Sequence, residues 1–143
     1  MDLQLAGKGV IVTGASRGIG RSIALAFASE GANLAVCARN EDGLGAVADE
    51  LRAQNESVRV HTVACDVGDE KQLAAFLEGA AKALGRVDVM VNNPSALALA
   101  DDEAAWKASF EVDLMAAVRS SISLRCRDEW AANLQRTPPS RRR

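Results

Sequence analysis

The sequence contains no tyrosine, one histidine (His61) and three cysteines (Cys37, Cys65 and Cys126). Without tyrosine, a phenolic general acid or base is excluded from any mechanism that this chain performs by itself. The cysteines are odd in number and show no Cys-x-x-Cys spacing, so they indicate reduced thiols rather than a disulfide framework or a zinc site. His61 has no partner motif, which favours a packing or surface role over catalysis. The sequence therefore predicts no metal site.

Long apolar runs are also missing. No apolar stretch reaches the roughly 20 residues that a membrane helix needs. The first residues, 1–5, have neither a basic start nor a long apolar segment, so they do not indicate a secretory signal, and a cytoplasmic protein is expected. With 143 residues, 48% of them hydrophobic and 25% charged, the chain is long enough for one globular domain and not for two.

Charge is distributed unevenly along the chain. Residues 1–118 hold 10 Lys and Arg against 17 Asp and Glu, whereas residues 119–143 hold 7 Arg against 2 acidic residues. We therefore expect a domain over 1–118 and a divergent, arginine-rich tail over 119–143, with a disordered end because Pro138 and Pro139 interrupt a helix there. Nucleic acid is not an expected partner, because the tail has no aromatic residue beyond Trp130 and no nucleic-acid-binding module is recognisable.

Strands and helices are predicted to alternate up to residue 118. Four apolar segments predict strands, at 10–13, 33–37, 58–63 and 87–91. Apolar residues at helical spacing follow each strand, and those of the fourth helix are Trp106, Phe110 and Leu114. The helical pattern is expected to stop near residue 119. This alternation predicts a parallel sheet with helices on both faces.

Three glycines at fixed offsets follow the first predicted strand: Gly14, Gly18 and Gly20. Glycine permits a tight strand-to-helix turn and lets backbone N–H groups approach a pyrophosphate, which then lies at the positive end of the following helix. The segment is therefore predicted to hold a phosphate, and the chain to bind a nucleotide.

Three spaced motifs together resemble those of classical short-chain dehydrogenases/reductases: Thr13–Gly20, Asp66-Val67 after the third strand and Asn92-Asn93 after the fourth. The resemblance covers about the first half of such an enzyme and is similar in particular to NADP-dependent 3-oxoacyl-carrier-protein reductases. It implies a Rossmann-like, doubly wound α/β fold with a parallel sheet of order 3-2-1-4, truncated before the later strands.

The resemblance also implies which residues contact the cofactor. Asp66 would hydrogen-bond the adenine amino group, Val67 would supply backbone contacts and the segment at Asn92 would line the adenine ribose. A helix cap is the alternative interpretation of Asp66. The candidate cofactor-binding residues are Gly14, Ser16, Arg17, Gly18, Ile19, Gly20, Arg39, Asp66, Val67, Asn92 and Asn93.

Charge at the end of the second strand bears on the choice of cofactor. An NAD-selective site places a carboxylate there, roughly 20 residues beyond the glycines, to hold the ribose 2′-hydroxyl. Here the first charged residue is Arg39, which together with Arg17 suits a 2′-phosphate. NADP is therefore predicted, whereas Glu41 or Asp42 would favour NAD if the strand ended later.

The catalytic residues that the resemblance implies are missing. These enzymes use a serine, a tyrosine and a lysine beyond the fourth helix, and an asparagine on it. Here the last lysine is Lys107, and Asp113 occupies the asparagine position. Pro94 and Ser95 also replace the Ala-Gly of the family's Asn-Asn-Ala-Gly motif. The serines at 120, 121 and 123 are expected at the surface, so no catalytic residue is assigned.

The function expected from these features is that of an NADP-binding, reductase-type chain that is inactive alone, being truncated or frame-shifted. Two alternatives are an oxidoreductase completed by another chain and a nucleotide-responsive binding or regulatory module. The fourth strand would form a sheet edge, and the fourth helix would expose its apolar face. Self-association through one of these is therefore also expected.

Overall fold

The computed structural model describes the backbone of residues 3–134 and the side chains of residues 3–125. The disorder predicted for the end of the tail concerns residues 135–143, which lie outside this range, as do the side chains of Cys126 and Trp130. Within the described part of the chain, no helix is both long and apolar enough to span a bilayer.

Four parallel strands form one sheet in the predicted order, β3-β2-β1-β4. They are β1 (Gly9–Thr13), β2 (Asn33–Ala38), β3 (Val60–Ala64) and β4 (Val89–Val91). The whole of β1 is buried, and Val12 lies opposite both Val36 of β2 and Val91 of β4. Because the strands all run the same way, their carboxyl ends meet at one edge of the sheet.

Helices cover both faces of the sheet, which confirms the doubly wound α/β fold. They are α1 (Gly18–Ser29), α2 (Leu44–Gln54), α3 (Glu70–Leu84), α4 (Glu103–Ser109) and α5 (Ala116–Leu134). One apolar cluster joins α1 and α2 to the sheet, and a second, on the other face, joins it to α3 and the start of α5. The apolar spacing of α1, α2 and α3 therefore marks the side that packs on the strands.

β3 and β4 begin two residues later than the sequence predicts. Val58 is buried, but its N–H donates to the carbonyl of Asn55 at 3.2 Å in a local turn. Asp88 instead fastens the amino end of β1, because its carboxylate accepts the N–H of Gly9 at 2.8 Å. An apolar pattern in the sequence indicates which residues are buried. The buried segment is longer than the part of the strand that forms hydrogen bonds with its neighbour.

The expectation that the helix stops near residue 119 is wrong. A π-helical turn, Phe110–Met115, connects α4 directly to α5, which continues to Leu134. Arg119 pairs with Glu111 at 2.7 Å, and Ser120 is buried with its hydroxyl donating to the carbonyl of Ala116 at 2.8 Å. Polar residues continue the helix here because their side chains find partners within it or on its neighbours. The boundary between a domain over 1–118 and a tail over 119–143 stays a prediction that rests on the change in composition.

Candidate functional site

The carboxyl edge of the sheet brings the predicted site segments together. The N–H of Ala15 donates to the carbonyl of Cys37 at 3.0 Å, which places the glycine turn beside the end of β2. The N–H of Cys65 donates to the carbonyl of Ala38 at 2.8 Å, which places the end of β3 next in line. In open α/β sheets, ligands bind in the crevice outside this edge.

The glycine turn between β1 and α1 requires its glycines. Gly14 and Gly18 have φ of +68° and +59°, which side-chain-bearing residues rarely adopt. Gly20 packs against the backbone: a Cβ there would overlap the carbonyl oxygen of Gly14 and approach Nδ2 of Asn93 to 2.5 Å. The turn is therefore tight, and its surface is formed mainly by backbone.

The first turn of α1 is open to an anion. Arg17 occupies the position before the helix, its side chain makes no capping hydrogen bond, and the first turn contains no acidic residue. Ser16 is half-buried in the turn, and Ile19 is 74% exposed on the first turn of the helix. The unsatisfied N–H groups at a helix start carry partial positive charge, which suits a phosphate.

Asn93 and Thr13 hold the glycine turn against the end of β4. The amide nitrogen of Asn93 donates to the carbonyls of Thr13 and Gly14, at 3.3 and 3.0 Å. The Thr13 hydroxyl accepts the Asn93 N–H at 3.3 Å and donates to the carbonyl of Val91 at 3.1 Å. The amide of Asn93 therefore positions the turn. The sequence reasoning missed Thr13 as a site residue, although a buried threonine that ends an apolar strand is a signal.

Two arginines belong to the segments that meet at this edge: Arg17 precedes α1 and Arg39 follows β2. Arg17 and Arg39 are both exposed, and neither has a hydrogen-bond or ion-pair partner among the described residues. Strand β2 ends at Ala38, so Arg39 is the first residue beyond it, whereas Glu41 and Asp42 come later in the exposed loop before α2. The strand does not extend toward the two carboxylates.

Asp66 and Val67 follow β3 and differ in burial. Val67 is 4% exposed and belongs to the core, whereas the exposed Asp66 accepts the N–H of Gly68 at 3.0 Å. The cap of α3 is Asp69, which accepts the N–H groups of Lys71 and Gln72 at 2.9 and 3.0 Å. The cap interpretation of Asp66 is therefore wrong.

The loop after β4 departs from a simple strand-to-helix connection. Asn92 is exposed at the strand end, and Pro94 packs against Gly14, its Cα 3.2 Å from where a Cβ on that glycine would lie. Asp113, in the π-helical turn, accepts the N–H of Ala96 at 2.9 Å. Its carboxylate therefore fixes the loop and has no partner here that would make it catalytic.

Other candidate chemistry is not assembled in the described part of the chain. His61 lies in β3, where its Nε2 is buried beside Gly79 on α3 and has no hydrogen-bond partner within residues 3–125. No group of three or more potential metal ligands occurs among those residues. His61 therefore has a packing position, as the sequence indicates.

Comparison with known proteins agrees with this geometry. A profile of the short chain dehydrogenase family matches residues 8–124. The chain belongs to this family. Among its relatives, the oxidoreductase YvrD of Bacillus subtilis is 35% identical over 125 residues, which are 85% of this chain and 46% of that protein. The 7alpha-hydroxysteroid dehydrogenase of Escherichia coli K12 is 40% identical over 92 residues, or 64% of this chain and 35% of the enzyme.

Solved structures of short-chain dehydrogenases show the same arrangement. L-sorbose reductase from Gluconobacter frateurii, complexed with NADPH and L-sorbose, superposes with a TM-score of 0.78 at 37% identity, covering 88% of this chain and 49% of that one. A metagenomic short-chain oxidoreductase in complex with NADP superposes with a TM-score of 0.75 at 35% identity, covering 85% and 57%. This short-chain dehydrogenase chain thus matches between about a third and just over half of the length of these relatives.

Proposed function

We propose that this chain is the NADP(H)-binding part of a short-chain dehydrogenase/reductase. The observation that carries the proposal is the uncapped first turn of α1, which follows the glycine turn at Gly14, together with Arg17 just before the helix and Arg39 just after β2. A pyrophosphate would take up the free N–H groups, and the guanidinium groups would lie nearby for a further phosphate. Asp66, Val67 and Asn92 would receive the adenosine.

The preference for NADP over NAD rests on charge at the end of β2. Arg39 directly follows the strand, and a guanidinium can bind a 2′-phosphate through two parallel hydrogen bonds. A carboxylate at this position would repel the phosphate, and the two nearest, Glu41 and Asp42, come two and three residues later. The NADPH and NADP complexes of the two related structures support the same choice.

We propose that the 143 residues do not reduce carbonyl compounds by themselves. Tyrosine is missing from the sequence, and no lysine follows Lys107. Loss of a positioned general acid alone typically lowers a rate by ~10²–10⁴-fold. The chemistry would therefore need residues from a longer or second chain.

Self-association is the second part of the proposal. Exposed apolar side chains recur every four residues along the continuous helix from α4 to α5: Trp106, Phe110, Leu114, Val118 and Ile122, with exposed fractions of 38–68%. Strand β4 forms the other candidate surface, because it pairs only with β1 and leaves one edge free within the described sheet. Because β4 has only three residues, its free edge offers few hydrogen bonds. The helix face is therefore the favoured surface for self-association.

The alternative of an oxidoreductase completed by another chain uses the same two surfaces. A second polypeptide that carries the later strands would cover β4 and the helix face together, whereas a nucleotide-responsive module would need no such partner. Sedimentation tests self-association against both alternatives. If copies of the chain associate through the helix face, Phe110→Glu and Leu114→Glu should each raise the self-dissociation constant at least about tenfold. Leu3→Glu, at an equally exposed leucine, is the matched control.

The experiment that tests the proposal is a titration of the purified chain with NADPH and with NADH, followed by fluorescence and by thermal unfolding. NADPH should bind more tightly and raise the Tm, because a ligand that binds only the folded state stabilises it. Equal affinity for the two cofactors would contradict the assignment of Arg39. Turnover of a 3-oxoacyl substrate in proportion to protein concentration would contradict the proposed lack of activity.

A further inference from the structure

Two cysteine side chains that the proposed function does not use lie together in the core. Cys37 is the last residue but one of β2, and Cys65 directly follows β3. Cys37 lies opposite Val63, so Cys65 is two positions further along the neighbouring strand and faces the same side of the sheet. Both thiols are free and buried, and they belong to the same apolar cluster beneath α3.

This pair also contacts the candidate nucleotide site. The N–H of Ala15, which follows Gly14 in the glycine turn, donates to the carbonyl of Cys37 at 3.0 Å. Cys65 is followed by Asp66, the residue expected at the adenine. The two cysteines therefore lie between the glycine turn and the loop after β3.

The geometry limits which chemistry the pair can perform. Residues displaced by two positions on adjacent strands have Cα atoms roughly 7–8 Å apart, beyond the ~4.4–6.8 Å usual for a disulfide. Zinc takes four ligands, and residues 3–125 hold no group of three or more that could supply them. A soft centre that accepts two sulfurs needs neither a direct S–S bond nor further ligands.

We propose that Cys37 and Cys65 form a dithiol modification site for trivalent arsenic or a similar soft electrophile, and that bound nucleotide masks it. With phenylarsine oxide, each thiol forms one As–S bond, the As–O bond is lost, and both thiol protons leave with the oxygen as water. No oxidant takes part. Capture depends only on the two thiols, whereas masking rests on the proposed nucleotide site.

Masking follows from burial. Cys37 and Cys65 are both buried, and the neighbouring Cys65 thiol and the lack of solvent raise the pKa of Cys37, so the closed state keeps the pair from a reagent in solvent. Reaction needs the glycine turn to move away from Cys37. A nucleotide on that turn holds it closed, and by linkage the arsenical-bridged chain should bind nucleotide more weakly.

Intact-mass analysis with phenylarsine oxide tests capture. Every chain carries Cys126→Ser, which removes the third thiol. One arsenical per chain should remain bound in excess 2-mercaptoethanol and leave on addition of a dithiol, and Cys37→Ala or Cys65→Ala should abolish the stable adduct. In the chain that keeps both cysteines, peptide mapping should locate the arsenical on the peptides of Cys37 and Cys65. This measurement does not depend on either alanine variant. No stable adduct in that chain, or a stable adduct in either single-cysteine chain, overturns the proposal.

Capture rates with nucleotide test masking. If only the free chain reacts, NADPH at ten times its measured Kd should slow capture about tenfold. An unchanged rate at a concentration where fluorescence shows NADPH bound would overturn the masking. If fluorescence shows no binding, the proposed function fails, while the mass analysis still decides whether the dithiol site exists.

Discussion

Two helices begin at the carboxyl edge of the sheet, on opposite faces, and their first turns are satisfied in different ways. In α3, the carboxylate of Asp69 accepts two backbone N–H groups and Glu70 adds a negative charge. In α1, Arg17 makes no capping bond and the first turn contains no acidic residue. The chain thus neutralises one helix start internally and leaves the other for an external anion.

The difference extends to the backbone beside each helix. Gly20, in the first turn of α1, packs closely against Gly14 and Asn93. Because these glycines have no side chains, none of them covers the backbone N–H groups at the start of the helix. The start of α3 is an ordinary cap that any globular protein uses to stabilise a helix. Substitutions at α1 should therefore change ligand binding, and substitutions at α3 should change stability alone.

The largest effect is expected from Gly20→Ala. Its Cβ would overlap the carbonyl of Gly14, so the turn must open, and NADPH affinity should fall more than about 100-fold while stability falls by about 1–3 kcal/mol. Gly45→Ala on α2 is the matched control, since nothing lies within 4 Å of its Cβ, and it should stabilise the chain by about 0.5–1 kcal/mol. Calorimetric titration and denaturant unfolding measure both; equal behaviour of the two variants would contradict the tight turn.

A smaller effect is expected from Arg39→Asp. NADPH affinity should fall by about 1.5–3 kcal/mol, or roughly 10–150-fold, because a charge-assisted hydrogen bond to the 2′-phosphate is replaced by repulsion. NADH affinity should change little. Arg52→Asp, in the last turn of α2 at the other edge of the sheet, is the control for net charge. Equal losses of affinity for NADPH and NADH would contradict a contact between Arg39 and the 2′-phosphate.

Asp69→Ala should act on stability without acting on the ligand. Losing the cap of α3 should lower the Tm by about 2–8 °C, because two backbone N–H groups lose their acceptor. NADPH affinity should stay within about twofold of the unmodified value, since α1 is untouched. A loss of affinity comparable to that of Arg39→Asp would show that the two helix starts are not independent.

The smallest effect is on acid stability. Hydrogen bonds from the N–H groups of Gln72 and Lys71 lower the pKa of Asp69, and Arg86, with the N–H of Gly9, lowers that of Asp88. A lowered folded-state pKa stabilises the chain above the unfolded value of about 3.9, and this contribution is lost as pH falls through the folded pKa. Thermal unfolding from pH 7 to 3 should therefore show an acid-dependent decline that is weaker in Asp69→Ala and in Asp88→Asn. Identical pH profiles for all three chains would contradict it.

Prediction from sequence succeeded where local pattern and chain order carry the information. The strand order and the two covered faces follow from alternating apolar segments, because parallel strands need crossover helices. Prediction failed near Arg119, where a polar, arginine-rich segment was expected to end the helix. Arg119 pairs there with Glu111, eight residues earlier across the π-helical turn, a spacing that the usual i,i+3 and i,i+4 pairs of a regular helix do not predict.

The sequence by itself determined the glycine turn, the absence of a tyrosine and the arginine that follows β2, because these depend on residue identity and spacing along the chain. Only the tertiary structure decided that Asn93 supports the turn and that Cys37 and Cys65 share one buried cluster. These are contacts between segments that the sheet brings together at its carboxyl edge. Their residues are separated by up to 79 positions for Asn93 and Gly14, so hydrogen-bond geometry, which acts over a few ångströms, selects them only after the strands have paired.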